Sequence, residues 1–194
     1  MEITGEKYLI NKSLVLYGLA DKFDFLVNLF NSERIPQVLL LSGPKGQGKF
    51  TLFNHFLKFY YDKENYDFKN YTIKNNSFSN DQLNQKHTNN LIYLSGINSV
   101  NNKVETIRSL KNSLLKTSLN NKKRFIILDD VELFNLNSLN ALLKIIEEPP
   151  KNNFFILINN KTKQLVETIH SRSLEIKFLL TNKNRIGIIE KLIG

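Results

Sequence analysis

Short apolar runs alternate along the chain with longer amphipathic or polar segments. Val38 to Ser42 (VLLLS), Leu91 to Ser95 (LIYLS), Arg124 to Leu128 (RFIIL), Phe154 to Ile158 (FFILI) and Leu174 to Phe178 (LEIKF) read as strands. Most are apolar at consecutive positions, the pattern of strands buried on both faces in a parallel sheet. Between them, Val104, Ile107, Leu110, Leu114 and Leu115 recur at helical spacing, and Asn102 with Glu105 three residues later has the form of a capping box. A second helix is expected from about Asn137 to Glu147, where Pro149 and Pro150 stop it, and Thr51 to Tyr61 is a further helix-like stretch. Strands joined by helices predict an α/β domain with right-handed crossovers.

One segment resists this scheme. Residues 61–90, YDKENYDFKNYTIKNNSFSNDQLNQKHTNN, are polar, rich in Asn and Lys, and longer than the loops of compact domains usually are. Tyr61, Tyr66, Phe68, Tyr71 and Phe78 interleave there with lysines, a pattern that suits stacking on single-stranded nucleic acid. Compositional drift in a partly ordered insertion produces the same pattern, and that plainer reading is preferred.

Composition bounds the function classes. A chain of 194 residues with 41% hydrophobic positions suits one globular domain with room for a small appendage. No apolar run approaches the roughly 20 residues of a membrane span, and MEITGEKYLI lacks the charged-then-apolar form of a leader, so a cytoplasmic protein without a membrane partner is expected. There are no cysteines, and His55, His87 and His170 have no ligand spacing, so no structural zinc is expected. A net charge of +9 suits a polyanion such as DNA. Asn, Lys and Ile are abundant throughout, however, so the lysine excess also follows from composition alone.

The stretch GPKGQGKFT, Gly43 to Thr51, departs at one position from the phosphate-binding pattern G-x-x-x-x-G-K-[ST]: Phe50 stands where a hydroxyl belongs. It follows an apolar strand and opens a helix, so Gly43, Gly46 and Gly48 fall where the backbone turns and approaches a ligand. Backbone N–H groups at the helix start, with Lys49 as a point charge, would face phosphate oxygens. The partner of such a loop is an acidic residue at the end of another strand. FIILDDVE supplies Asp129, placed to hold Mg²⁺ through water, and Asp130, placed to orient an attacking water.

LLLSGPKGQGK, FIILDDVELF, NALLKIIEEPP and TIHSRS occur in the order and approximate spacing of the ATPase-type subunits of the bacterial DNA polymerase III clamp loader, of the AAA+ class. The chain resembles that family over about residues 15–180, and NALLKIIEEPP is its most specific motif. SRS, Ser171 to Ser173, is similar to the family's Ser-Arg-Cys motif with serine in place of cysteine. The resemblance implies a P-loop NTPase core over 1–178 with a five-stranded parallel sheet between helices, interrupted by the 61–90 insertion. Residues 179–194 would begin a helical lid, and the family's collar domain and zinc-binding cysteines are absent, which reads as a truncated or unusually short chain, monomeric on its own.

Within the family, the motor subunit needs a hydroxyl after the loop lysine and usually an Asp-Glu pair at the strand end. Here Phe50 and Asp130 occupy those places. A phenyl ring cannot coordinate Mg²⁺, and aspartate is one methylene shorter than glutamate. Thr51, about 100° further around the helix, would substitute only if the loop shifted. The resemblance therefore favours the delta-prime subunit, with weak ATP and Mg²⁺ binding at most, and Arg172 offered in trans as an arginine finger. Asn160 matches the family's sensor position, with Asn159 as the alternative. The implied partners are the gamma/tau and delta subunits, the sliding clamp indirectly, and primed DNA. A gamma/tau motor ATPase and an independent P-loop ATPase outside any ring are the alternatives.

Overall fold

The computed structural model describes residues 14–74, 90–98, 100, 103–115, 123–181, 186–188 and 190. Along the chain run α1 (Ala20–Asn31), β1 (Val38–Ser42), α2 (Lys49–Tyr61), β2 (Tyr66–Asp67), β3 (Thr72–Ile73), β4 (Leu91–Ser95), α3 (Val104–Leu115), β5 (Arg124–Asp129), α4 (Leu136–Ile146), β6 (Asn153–Asn159), α5 (Glu167–His170) and β7 (Leu174–Lys177). The chain divides into two compact units. One holds Pro36–Lys45 and the described part of Asp81–Lys177; the other holds the described parts of Leu9–Ile35, Gly46–Asn80 and Phe178–Gly194.

The first unit is a five-stranded sheet in the order β4-β5-β6-β1-β7, and every pairing is parallel. Its strands match the five apolar runs because parallel neighbours leave no face for water: β1, β6 and the first five residues of β5 are buried at every position. On one face, Leu40, Ile126, Leu128, Phe155 and Leu157 form a single core with Ile107 and Leu110 of α3, Leu139, Leu142 and Ile145 of α4, and Ile169 of α5. Removing the side chain of Leu142, 1% exposed, is expected to cost about 2–5 kcal/mol.

Helix α4 shows how local sequence sets these elements. Asn135 caps it, its side chain accepting from the Ser138 N–H at 2.8 Å. Leu139, Leu142, Ile145 and Ile146 supply the buried stripe, and the helix ends just before the proline pair. Gln37, ahead of β1, donates from Nε2 to the carbonyls of Pro150 and Asn153, at 3.1 and 3.2 Å. The capping box expected at Asn102 lies outside the described residues.

The second unit contains α1, a helix not among those expected above, on which Phe23, Leu26, Val27 and Phe30 stand at helical spacing. Phe23 is fully buried and stacks on Tyr66, ring centroids 5.2 Å apart, with the rings of Phe59 and Tyr71 edge-on at 5.9 and 5.7 Å. Two of these phenols have partners: Tyr66 Oη lies 3.0 Å from His55 Nδ1, and Tyr71 Oη donates to Asp24 Oδ2 at 2.7 Å. Of the 61–90 insertion, residues 62–74 form a short 3₁₀ turn and the antiparallel β2–β3 hairpin, bordered by Val15 opposite Thr72. Tyr66 and Tyr71 thus serve this aromatic core; Phe78 and residues 75–89 lie outside the described residues. No helix among the described residues is long and apolar enough to cross a membrane.

Candidate functional site

The loop between β1 and α2 is shaped by its glycines. Gly46 and Gly48 have φ of 81° and 77°, the left-handed region that side-chain-bearing residues rarely adopt. A methyl group on Gly48 would also meet Leu19 Cδ1 at 2.7 Å, whereas at Gly46 the space is open to 4 Å. The loop starts firmly, with the Gly43 N–H donating to the Asn159 carbonyl at 3.2 Å. Gly48 then caps α2, so Lys49 is its first residue, and the positive pole of a helix start favours an anion. Lys49 is 3% exposed, while Phe50 and Thr51 are half-buried. Within the second unit, Gln47 accepts the Leu180 N–H at 2.9 Å, joining the loop to the segment that leads out of the sheet.

A second group of residues lies at the carboxyl ends of β5 and β6, where ligands of open α/β sheets collect. Asp129 closes β5, its Oδ2 accepting from the Tyr93 hydroxyl at 3.0 Å and its Oδ1 from the Asp130 N–H at 2.9 Å. Asp130 has left-handed backbone angles, φ 48° and ψ 48°, and is buried. Asn160 Nδ2 donates to Asp130 Oδ1 at 2.7 Å. Asn159 is occupied differently, its side chain accepting the Lys161 N–H at 2.8 Å. Asn160 is thus the one of the two whose side chain meets the acidic turn.

Glu132 belongs to this network and was not singled out in the sequence. It is buried, and its Oε1 accepts from the Asn160 N–H at 3.0 Å, the Thr162 N–H at 3.2 Å and the Thr162 hydroxyl at 2.9 Å. Its Oε2 is buried with no hydrogen-bond partner among the described residues. The 3₁₀ turn Val131–Leu133 aims this carboxylate at the loop after β6. In the sequence the only signal is a third acid shortly after a strand end, which ordinary turns also show.

Arg172 follows α5, just ahead of the edge strand β7. Its NH2 donates to Glu147 Oε1 at 2.8 Å, and its NH1 to the Thr168 carbonyl at 3.2 Å and Ser171 Oγ at 3.3 Å. The paired side chains are 35% and 48% exposed, so the ion pair contributes only about 0.2–1 kcal/mol to stability. Beside it opens a cleft of about 1200 Å³ lined by Lys161, Lys163, His170 and Lys177 among others. Glu175 inside it accepts the Ser42 hydroxyl and lies 3.8 Å from both Lys177 Nζ and His170 Nδ1.

The family described as DNA polymerase III, delta subunit, matches residues 18–182. The chain belongs to this family. It is 26% identical over 185 residues to the DNA polymerase III subunit gamma of Buchnera aphidicola from Schizaphis graminum, covering 95% of this chain and 46% of the relative. It is also 26% identical over 153 residues to the DNA polymerase III subunit delta' of Bacillus subtilis, covering 79% of this chain and 45% of the relative. The chain thus spans under half the length of these relatives. The fold is that of a DNA polymerase III gamma-subunit-related protein from Thermotoga maritima, with a TM-score of 0.54 at 16% identity, covering 85% of this chain and 49% of the other. The AAA+ fold and the clamp-loader resemblance read from the sequence agree with these findings.

Against the nucleotide of the AAA+ class, the residues divide. The donor set of a phosphate is present: a glycine loop open at Gly46, a helix start and Lys49. The hydroxyl that would ligate Mg²⁺ after the loop lysine is missing, because Phe50 offers no oxygen.

Proposed function

We propose that this member of the DNA polymerase III delta-subunit family is a delta-prime subunit of a clamp loader, which helps to place the sliding clamp on primed DNA. Its own contribution to ATP turnover is Arg172, offered to the nucleotide of a neighbouring gamma or tau subunit. The observation that carries this reading is the contrast between two sites. The loop has phenylalanine in place of the metal-binding hydroxyl at Phe50, while Arg172 is present, exposed and held by acceptors of its own unit. A guanidinium supplied from outside a pocket stabilises charge on the transferring phosphoryl group, so a subunit that hydrolyses nothing can still determine its neighbour's rate. On this reading the chain binds ATP weakly at most and Asp130 no longer positions water.

The test is a loader assembled from this protein and its cognate subunits. Arg172→Ala is expected to lower the DNA- and clamp-stimulated ATPase by about 10³–10⁵ at the one site it serves, diluted by the other sites of the ring. Assembly and the nucleotide affinity of this chain should stay unchanged. Clamp loading at the wild-type rate by the alanine variant would refute the reading. The gamma/tau motor is the second reading, favoured by the alignment of a gamma subunit over 95% of the chain. Rapid ATP turnover by the chain alone, abolished by Lys49→Ala, would establish it instead.

A further inference from the structure

Helix α4 and its proline stop account for the leucines, isoleucines and prolines of NALLKIIEEPP, but not for Glu147. Its backbone is set by the helix, with φ −65°, ψ −44° and an N–H bonded to the Leu143 carbonyl at 2.9 Å. A carboxylate at this end of a helix faces the negative pole of the macrodipole, where a cation is favoured and an anion is not. Helix formation therefore gives no reason for an acid here. The reason available in the structure is Arg172, 2.8 Å away.

We infer that Glu147 is a positioning residue for Arg172, ordering the guanidinium for a neighbour's phosphates before the neighbour arrives. The inference rests on the arginine-finger reading above and adds to it a residue and a mechanism. Arg172 NH2 is held by Glu147 at the end of α4, and its NH1 by the Thr168 carbonyl and Ser171 Oγ around α5. Three acceptors from two elements fix the plane of the fork, whereas any one of them would leave it free to swing. An arginine is among the side chains with the most rotamer freedom to lose. Ordering it in advance removes that loss from the docking step.

Glu147 orders the arginine without sequestering it. Both partners are substantially exposed, at 35% and 48%, so their attraction is screened by water and salt. A triphosphate carries several negative charges and bidentate oxygens, and it outcompetes a single exposed carboxylate for the fork. Glu148, the next residue, is also exposed, and no hydrogen bond or ion pair to Arg172 involves it. The two neighbouring acids carry the same charge at the same helix end, so they separate geometry from electrostatics.

The experiment compares Glu147→Ala, Glu147→Gln and Glu148→Ala with Arg172→Ala in the assembled loader, measuring kcat and KM for ATP at matched assembly. Glu147→Ala is expected to lower the stimulated kcat roughly two- to tenfold, the equivalent of reordering one rotamer-rich side chain, with KM unchanged. Glu147→Gln keeps an acceptor oxygen and should stay within about twofold of wild type, as should Glu148→Ala. In parallel, the ¹⁵Nε order parameter of Arg172 in the protein alone should fall in Glu147→Ala and hold in Glu147→Gln. Should Arg172→Ala abolish stimulation while Glu147→Ala matches or exceeds wild type, the positioning role is overturned and the finger stands. An Arg172→Ala variant without effect overturns both. An unchanged order parameter in Glu147→Ala also overturns the positioning role.

Discussion

The sheet unit and the unit built on α1 and α2 are held together by different chemistry. In the sheet unit, Leu40, Ile126, Leu128 and Leu157 pack in a wholly apolar core, and the parallel ladder sets their register. In the other unit, the rings of Phe23, Phe59, Tyr66 and Tyr71 meet edge and face, and the hydroxyls of Tyr66 and Tyr71 are matched to His55 and Asp24. The same contrast governs the candidate chemistry. The side chains at issue in the sheet unit, Asp129, Asp130, Asn160 and Arg172, stand at strand or helix ends with their partners fixed. In the second unit the start of α2 is shaped by the backbone of Gly46 and Gly48, and Phe50 stands where the phosphate-binding pattern has a hydroxyl. Placement by rigid ends fixes a charge in one unit; in the other, glycine backbone shapes a turn, and Phe50 beyond it carries no oxygen.

The largest break of this contrast is at Arg172. Arg172→Lys keeps the charge but not the planar fork, and should recover less than about a tenth of the rate lost in Arg172→Ala. Stimulated ATPase of the loader reads this directly, and full rescue by lysine would mean that charge alone matters.

Next in size is Glu132. Glu132→Ala leaves three donors of the loop after β6 without their acceptor, and should lower stability by about 1–3 kcal/mol. Glu132→Gln retains the accepting oxygen and should cost less. Urea denaturation of the two variants measures the difference, and equal losses would show that the carboxylate's hydrogen bonds do not hold the loop.

In the second unit, Phe50→Thr restores a metal-binding hydroxyl next to an intact loop. Nucleotide affinity in Mg²⁺ should rise about tenfold, the equivalent of one charge-assisted contact of ~1.4 kcal/mol. Calorimetry with and without EDTA checks it; an equal gain in EDTA would mean that the threonine acts other than through the metal.

The smallest effect concerns alkali. Burial raises the Tyr61 and Tyr66 phenols above their ordinary range, with the neighbouring Tyr60 adding to the first and Tyr71, Asp24 and Asp67 to the second. The folded chain keeps these protons where the unfolded chain loses them, so stability should fall as pH rises through the unfolded value of about 10. Denaturation midpoints from about pH 9 to pH 11 read the fall, and Tyr61→Phe should flatten it. A pH-independent midpoint would show that the aromatic unit does not depend on neutral phenols.

Much of this was legible along the chain. Consecutive apolar residues specify a strand without its neighbours, because burial on both faces leaves few alternatives; all five strands and α3 and α4 lie within a residue or two of the expected limits. Helix α1 is legible too, in the spacing of Phe23, Leu26, Val27 and Phe30. The hairpin at 66–73 was not, since its two-residue strands carry too little pattern to rise above a polar background. Loop, acidic strand end and arginine were visible as motifs because each is contiguous.

What the residues determined by themselves rests on near neighbours: the strands of the five-stranded sheet, the longer helices, the glycine turn, the missing hydroxyl at Phe50 and the family. What only the tertiary structure decided is which side chains share a hydrogen bond across many residues of chain. Asn160 rather than Asn159 meets Asp130, Glu132 holds the Asn160–Thr162 loop, and Glu147 reaches Arg172. A hydrogen bond requires a few ångströms and a direction, and for residues 25 to 30 positions apart those are set by strand order and register, which no local pattern encodes.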